Sequence, residues 1–349
     1  MKIPPRTELT VVALTIIGAL IRFWNIGFQA VNTDEEFTLA FASAALSFPQ
    51  VFLNALTTDF TPPLYYLTAH LSMIFFGNTV TAIRIPSAIF GVLLIPVIYY
   101  VGKEYRDELF GLLAAGFTTF FYSMVYYSRY GRAYMLALLF FTIALYFYLQ
   151  ILKGDTHSSI PFGIFALLTL WTHLYSVIPL GVLVLYLLYE RKAFSGIAVL
   201  VLGSLPLLNY VFLILSSRVD VPVFQNFGEP PVSILLFTPL DLFAYSSILI
   251  IPIIIWILWT HRTEKMLQIV AVTSLVTWIS MIVLSFKTPI ILHYALFLVP
   301  MLLLPFLLPF YDAVLAKRIG FHHLVTGMVI MLLEVVQIVA VLTMQRVCW

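Results

Sequence analysis

Three kinds of side chain in this sequence could do chemistry together: carboxylates, arginines, and histidines with tyrosine neighbours. Asp34, Glu35 and Glu36 are consecutive, Asp59 follows, and all four lie in a polar-bearing stretch, 32–66, between two strongly apolar runs. They are four of sixteen acids in a chain that is 62% hydrophobic and 10% charged. A carboxylate so placed can take a proton from an attacking hydroxyl. It can also simply cap a helix. Thr33-Asp34-Glu35-Glu36 fits a capping box, with Thr33 as N-cap and Glu36 reaching back, and acids in a first turn suit the helix dipole whatever the function. Capping accounts for Glu36, while Asp34 and Glu35 exceed what it requires. Because the dipole favours the charged form, a base here needs desolvation at a bilayer edge to offset it.

The cations offer the complementary chemistry. Arg129 and Arg132, in Tyr127-Ser128-Arg129-Tyr130-Gly131-Arg132-Ala133-Tyr134, are three apart, which predicts one helical face at the start of an apolar run. Two guanidiniums present forked, permanently charged donors and suit a phosphate; the alternative is anchoring beside lipid head groups. Arg84 has the same two readings, and anchoring also competes at Lys287 and His293-Tyr294. His173, in Leu170-Trp171-Thr172-His173-Leu174-Tyr175, lies deep in an apolar run, where a hydrogen-bonded structural role stands against a direct one. No Cys/His metal-ligand spacing, glycine-rich phosphate loop or nucleophile motif accompanies them. Glu334 sits inside the last apolar run with no partner evident in the sequence.

Membrane helices must position these groups. A mean hydropathy near +1 excludes a soluble domain, and a formal charge of +2 gives no hint of nucleic-acid binding. The single cysteine, Cys348, excludes an intrachain disulfide. Apolar runs at 9–28, 82–101, 108–127, 131–152, 160–174, 176–189, 196–215, 241–260, 266–286, 290–311 and 322–344 predict an all-α polytopic protein of about eleven spans. Pro63–Phe76 is too short to cross and is expected to lie at the interface, among two or three juxtamembrane helices with new starts at Pro49 and at Thr61-Pro62-Pro63. Charge sets the sides. With a cytoplasmic N-terminus, eleven of the eighteen Lys and Arg fall in the inner segments. Treating Pro63–Phe76 as a span would put Lys103, Arg191-Lys192 and Lys317-Arg318 outside. The favoured topology gathers the acids, Arg84, Arg129, Arg132, His173, Lys287 and His293 on the extracytoplasmic face.

Taken in order, these motifs resemble one family: the polyprenyl-phosphate-sugar-dependent membrane glycosyltransferases of the GT-C superfamily, with protein O-mannosyltransferases and lipid A aminoarabinose transferases as the nearest kinds. The resemblance is carried by Asp34-Glu35, Thr61-Pro62-Pro63-Leu64-Tyr65-Tyr66, Arg84-Ile85-Pro86-Ser87-Ala88-Ile89-Phe90-Gly91, Tyr127–Tyr134, Thr172-His173-Leu174-Tyr175, and His293-Tyr294 leading to Pro300. It covers residues 9 to about 190 well and the later half loosely. Two features depart from the pattern. His293 stands where the family usually has Arg, and the chain stops at Trp349, where many members continue into a folded extracytoplasmic domain.

The resemblance implies an inverting transfer of a hexose or pentose from a polyprenyl or dolichyl monophosphate to an acceptor hydroxyl on a lipid, glycan or protein. Asp34 would be the base, with Glu35 orienting the site. Arg84, Arg129, Arg132, His293 and Lys287 would hold the donor phosphate, and Asp59, Tyr65, Tyr134, His173 and Tyr294 the substrates. The resemblance fixes no cofactor and is compatible with a divalent cation. The expected organisation is a single transmembrane domain over 1–349 in the plasma membrane, with a first outer loop at 29–81, a substrate lid at 216–240 and no C-terminal soluble domain. A transporter or lipid flippase is the rival reading. It calls for related halves and ionisable residues at mid-membrane, and the sequence displays neither repeat nor such placement. A non-catalytic assembly subunit is the third.

Overall fold

Lipid offers no hydrogen-bond partner, so a chain this apolar must satisfy its backbone inside helices. The structure, a computed structural model, describes residues 5–58, 62–217, 233–234, 238, 242, 246–286, 292–316 and 320–343. Among these there are helices and no strand. Helix α1 (Pro5–Phe23) is followed by three short helices, α2 (Thr33–Phe41), α3 (Phe48–Thr58) and α4 (Leu64–Phe76). Next come α5 (Val80–Tyr105), α6 (Glu108–Phe120), α7 (Tyr122–Ser128), α8 (Tyr134–Leu152) and α9 (Ser159–Leu170). The remainder are α10 (Val177–Tyr189), α11 (Phe194–Ser217), α12 (Ser247–Thr260), α13 (Lys265–Ser285), α14 (Val299–Leu315) and α15 (Phe321–Thr343). Tighter 3-10 turns at Leu174–Ser176 and Leu292–Leu298 lead into α10 and α14.

Five helical segments among the described residues are long and apolar enough to cross a membrane: α5, α8, α13, His293–Leu315, and Val325–Thr343 within α15. The pair α6 and α7 makes a sixth if it is one span bent by 57°. Each of the eleven apolar runs contains helix where it is described, yet several of those helices are too short for length alone to establish a crossing. Eleven is therefore the number of apolar runs, not an established number of spans. The expected juxtamembrane helices are α2, α3 and α4. With 13 residues, α4 buries Tyr65, Tyr66, His70 and Met73 and leaves Leu71, Ile74, Phe75 and Phe76 exposed.

The central helix is α5, which packs on α1, α4, α6 and α8, while α9 joins α8 to α11. Small residues permit the closest crossings, since in lipid packing replaces the hydrophobic drive between helices. A Cβ on Gly102 of α5 would lie 2.8 Å from the Gly111 Cα of α6. One on Gly196 of α11 would lie 1.8 Å from the Ser159 carbonyl oxygen at the start of α9. Phe110, Phe121, Phe141, Tyr148 and Phe162 are enclosed, whereas Leu275, Ile279 and Val283 of α13 and Met328, Leu332 and Val336 of α15 stand exposed. That is the surface a lipid solvent calls for. Arg84 marks one end of α5. At its other end Tyr105 donates to Glu264 at 2.6 Å and Arg106 pairs with Glu264 at 2.6 Å, tying α5 to the start of α13.

Candidate active site

The capping box exists, shifted by one residue. Asn32, not Thr33, is the N-cap of α2: its side chain accepts from the Asp34 amide at 3.2 Å, and Glu35, not Glu36, accepts from the Asn32 amide at 3.1 Å. Asparagine outranks threonine as an N-cap, and the shift turns Glu36 outward and Glu35 inward. Glu35 is fully buried. Arg84 clamps it through Nε at 2.7 Å and Nη2 at 2.6 Å, and the Gly131 amide donates to it at 2.7 Å. One carboxylate thus joins α2, α5 and the turn before α8. Glycine at 131 allows the close approach: a Cβ there would lie 2.7 Å from the Ile83 side chain, which would have to shift, and 3.2 Å from Glu35.

Arg129 and Arg132 do not share a helical face. The helix α7 ends at Ser128, α8 begins at Tyr134, and the residues between them form a turn. Tertiary partners take the backbone groups a helix would use: Glu35 accepts from the Gly131 amide, and Thr38 donates to the Gly131 carbonyl at 2.8 Å. Arg129 points at the end of α1 and donates to the carbonyls of Arg22 at 3.0 Å, Trp24 at 2.6 Å and Asn25 at 3.2 Å. A cation at a helix C-terminus is where the dipole favours it. Arg84 donates to the carbonyls of Ile26 at 3.1 Å, Gln29 at 3.0 Å and Ala30 at 3.1 Å, besides holding Glu35. Both arginines are buried and hold the connection from α1 to α2. Arg132 is different. Its Nη1 donates to the Tyr66 hydroxyl at 2.8 Å, and its charge acts on Tyr65, Tyr130, Tyr134 and His293.

Asp34 is half-buried, and among the described residues no side chain holds its carboxylate by a hydrogen bond or ion pair. Its charge reaches Tyr130 and Tyr134; burial first, and Asp34 next, push the Tyr130 hydroxyl up from its ordinary pKa. These tyrosines belong to a wall of rings. Tyr126, Tyr130 and Tyr134 stack at 6.1 and 6.0 Å, and the Tyr134 hydroxyl and His293 Nε2 are hydrogen-bonded at 2.7 Å. His173 lies edge-on to Tyr294 at 5.0 Å, and Tyr294 stacks on Tyr175 at 4.3 Å.

The structure therefore brings together Asp34, Arg132, Tyr134, His173, His293 and Tyr294. Tyr65 stands apart, buried against α5, where its hydroxyl meets the Ile83 carbonyl at 2.8 Å and Ser87 at 2.7 Å. Asp59, Lys287 and most of the expected lid at 216–240 lie outside the described residues. No group of three or more His, Cys, Asp or Glu side chains gathers among the described residues. Tyr66 and Tyr130 stand in the quoted motifs with no role assigned there, and Thr38 and Arg22, which is fully buried in α1, stand outside them. A lone arginine inside an apolar run was the signal for Arg22.

Residues 61–216 match the family model of the dolichyl-phosphate-mannose-protein mannosyltransferases. The fold matches a crystal structure of ArnT from Cupriavidus metallidurans bound to undecaprenyl phosphate, with a TM-score of 0.58 and 16% identity over 86% of this chain. Against the same protein in its apo state the values are again 0.58, 16% and 86%. The likeness is one of fold, and this chain spans 59% of the length of the first ArnT chain and 58% of the second. No curated protein matches the chain by sequence. The resemblance carried by the motifs is thus met twice, by the family model over the segment holding Arg84, Arg132 and His173 and by the shared fold.

Proposed function

From an ArnT-like GT-C fold and a segment that matches the protein-mannosyltransferase model, we propose that this chain is an integral membrane inverting glycosyltransferase. It moves a hexose or pentose from a polyprenyl or dolichyl monophosphate to an acceptor hydroxyl at the extracytoplasmic face. The observation that carries this reading is the division of labour between two adjacent carboxylates. Glu35 is spent on Arg84 and two backbone amides, while Asp34 remains half-buried beside the tyrosine–histidine wall. Asp34 takes the acceptor hydroxyl proton as that oxygen attacks the anomeric carbon. The bond from that carbon to the phosphate oxygen breaks on the opposite face, and its electron pair leaves with the lipid phosphate. Charge then gathers on the phosphate, where a forked guanidinium is worth most. We assign that role to Arg132, with Arg84 and Arg129 acting through the backbone they hold. His293, Tyr134, His173 and Tyr294 shape the sugar subsite, while Asp59 is assigned to the substrate and Lys287 to the phosphate from the sequence alone.

The test is Asp34→Asn in purified protein given a polyprenyl-phosphate sugar. Asparagine keeps shape and hydrogen bonding but cannot accept the proton, so turnover should fall by roughly 10²–10⁴ while donor binding persists. Near-normal turnover in a folded Asp34→Asn protein would leave the transfer without its base and refute the mechanism.

A further inference from the structure

The bent pair α6–α7 lacks the backbone hydrogen bonds that would carry one helix through Phe121, and a buried ionisable side chain stands on each side of the gap. In an unbroken helix the Tyr122 amide would donate to the Thr118 carbonyl. Phe121 is extended (φ −77°, ψ 125°), and that bond is not made. The Tyr122 amide donates instead to Glu334 of α15 at 2.6 Å. The Thr118 carbonyl accepts instead from Arg22 of α1 at 2.9 Å. Arg22 also serves the Thr119 carbonyl at 3.2 Å and reaches Ser128, the last residue of α7, at 3.1 Å. The other oxygen of Glu334 accepts from Ser246 at 2.5 Å.

The groups match the two exposed helix ends, a guanidinium donor at the C-terminus of α6 and a carboxyl acceptor at the N-terminus of α7. Both side chains are buried, and among the described residues neither is in an ion pair. Buried charges in a membrane helix are costly and are kept for a use. The packing makes room for this one: a Cβ on Gly91 would lie 1.9 Å from the Ser128 hydroxyl and 3.2 Å from Arg22.

We propose that Arg22 and Glu334 hold the span open at Phe121 and that the break positions the turn bearing Arg132; both are positioning residues, not catalytic ones. The effect on turnover rests on the transferase reading above. Geometry gives the scale. The seven residues of α7 run for about 10 Å at 1.5 Å each, so undoing a 57° bend would carry the far end roughly 10 Å away. Tyr130, Arg132 and Tyr134 follow directly from that end.

Glu334→Leu removes both hydrogen bonds, whereas Glu334→Gln keeps an acceptor for the Tyr122 amide. Hydrogen exchange over residues 122–132 should quicken in Glu334→Leu and stay near wild type in Glu334→Gln. The kcat for sugar transfer should fall by roughly 10- to 100-fold in Glu334→Leu, the scale of a misplaced reacting group, and recover in Glu334→Gln. If Glu334 acts through Arg132, adding Glu334→Leu to Arg132→Lys should cost much less than Glu334→Leu costs alone. Should Glu334→Leu not fold, exchange over 118–128 is read in Arg22→Lys, which keeps charge without the fork and must also quicken. Unchanged exchange overturns the role of Arg22 and Glu334. Faster exchange with fully additive kinetics overturns the link to Arg132. A wild-type protein that transfers no sugar refutes the transferase reading and with it the effect on turnover, and exchange alone then decides whether Arg22 and Glu334 hold the break.

Discussion

Arg84→Met separates architecture from phosphate binding. In the folded protein Glu35 accepts four hydrogen bonds, two from Arg84 and one each from the Gly131 and Asn32 amides. The substitution leaves a fully buried carboxylate with only the two amides, and strips the carbonyls of Ile26, Gln29 and Ala30 of their donors. Breaking a buried pair from one side costs about 3–5 kcal/mol. Removing both charges, in Glu35→Met with Arg84→Met, should cost less than the sum of the single losses, because no charge is then left stranded. The assay is the midpoint of denaturant unfolding in detergent for the two single variants and the double, with Asp34→Asn as the control. Asp34→Asn should leave the midpoint near wild type, because no side chain among the described residues holds that carboxylate. An Arg84→Met protein as stable as wild type but unable to bind donor would refute this reasoning and return Arg84 to the phosphate.

Two further outcomes are expected. Arg132→Lys keeps the charge but loses the fork, so donor affinity should fall without a loss of stability comparable to that of Arg84→Met; unchanged affinity in titrations with the donor lipid would remove Arg132 from the phosphate site. Cysteines placed at Asp155 and Glu264 should react with an impermeant reagent only after permeabilisation, and one at Asn226 in sealed cells; labelling at Asp155 in sealed cells would reverse the sides.

Much of the helical framework was legible because periodicity and apolar length depend on local sequence alone. The short helices α2, α3 and α4 start close to where Thr33, Pro49 and Thr61-Pro62-Pro63 place them. The capping register was not read, since Asn32 and Thr33 are both competent N-caps, and the burial of Glu35 against Arg84 adds to the intrinsic preference for asparagine. Nor was the turn at Arg129–Ala133. Its sequence reads as the opening of a helix, and what stops it is Glu35 and Thr38, roughly ninety residues away, taking the amide and carbonyl of Gly131. Glu334 had no visible partner because its partner is a backbone amide exposed by a helix break, and a sequence does not mark which amides a break will free.

Four arginines gather at one end of the bundle and read alike in sequence, yet the structure divides them by what their neighbours leave unsatisfied. Arg22 faces the last carbonyls of α6, Arg129 those of α1, and Arg84 those of the connection from α1 to α2. In a medium without water, a carbonyl at a helix end is an expensive group, and a guanidinium with five donors can satisfy several at once. With nine residues, α2 is too short to be stable alone, so the position of Asp34 is set from outside its own helix. Arg84 reaches it from α5 through Glu35, the Gly131 amide reaches it from the turn, and Arg129 fixes the end of α1 from which the connection departs. The same turn carries Arg132. The proposed base and the proposed phosphate ligand are therefore placed by one set of hydrogen bonds, and a substitution that loosens that set should lower proton transfer and leaving-group stabilisation together.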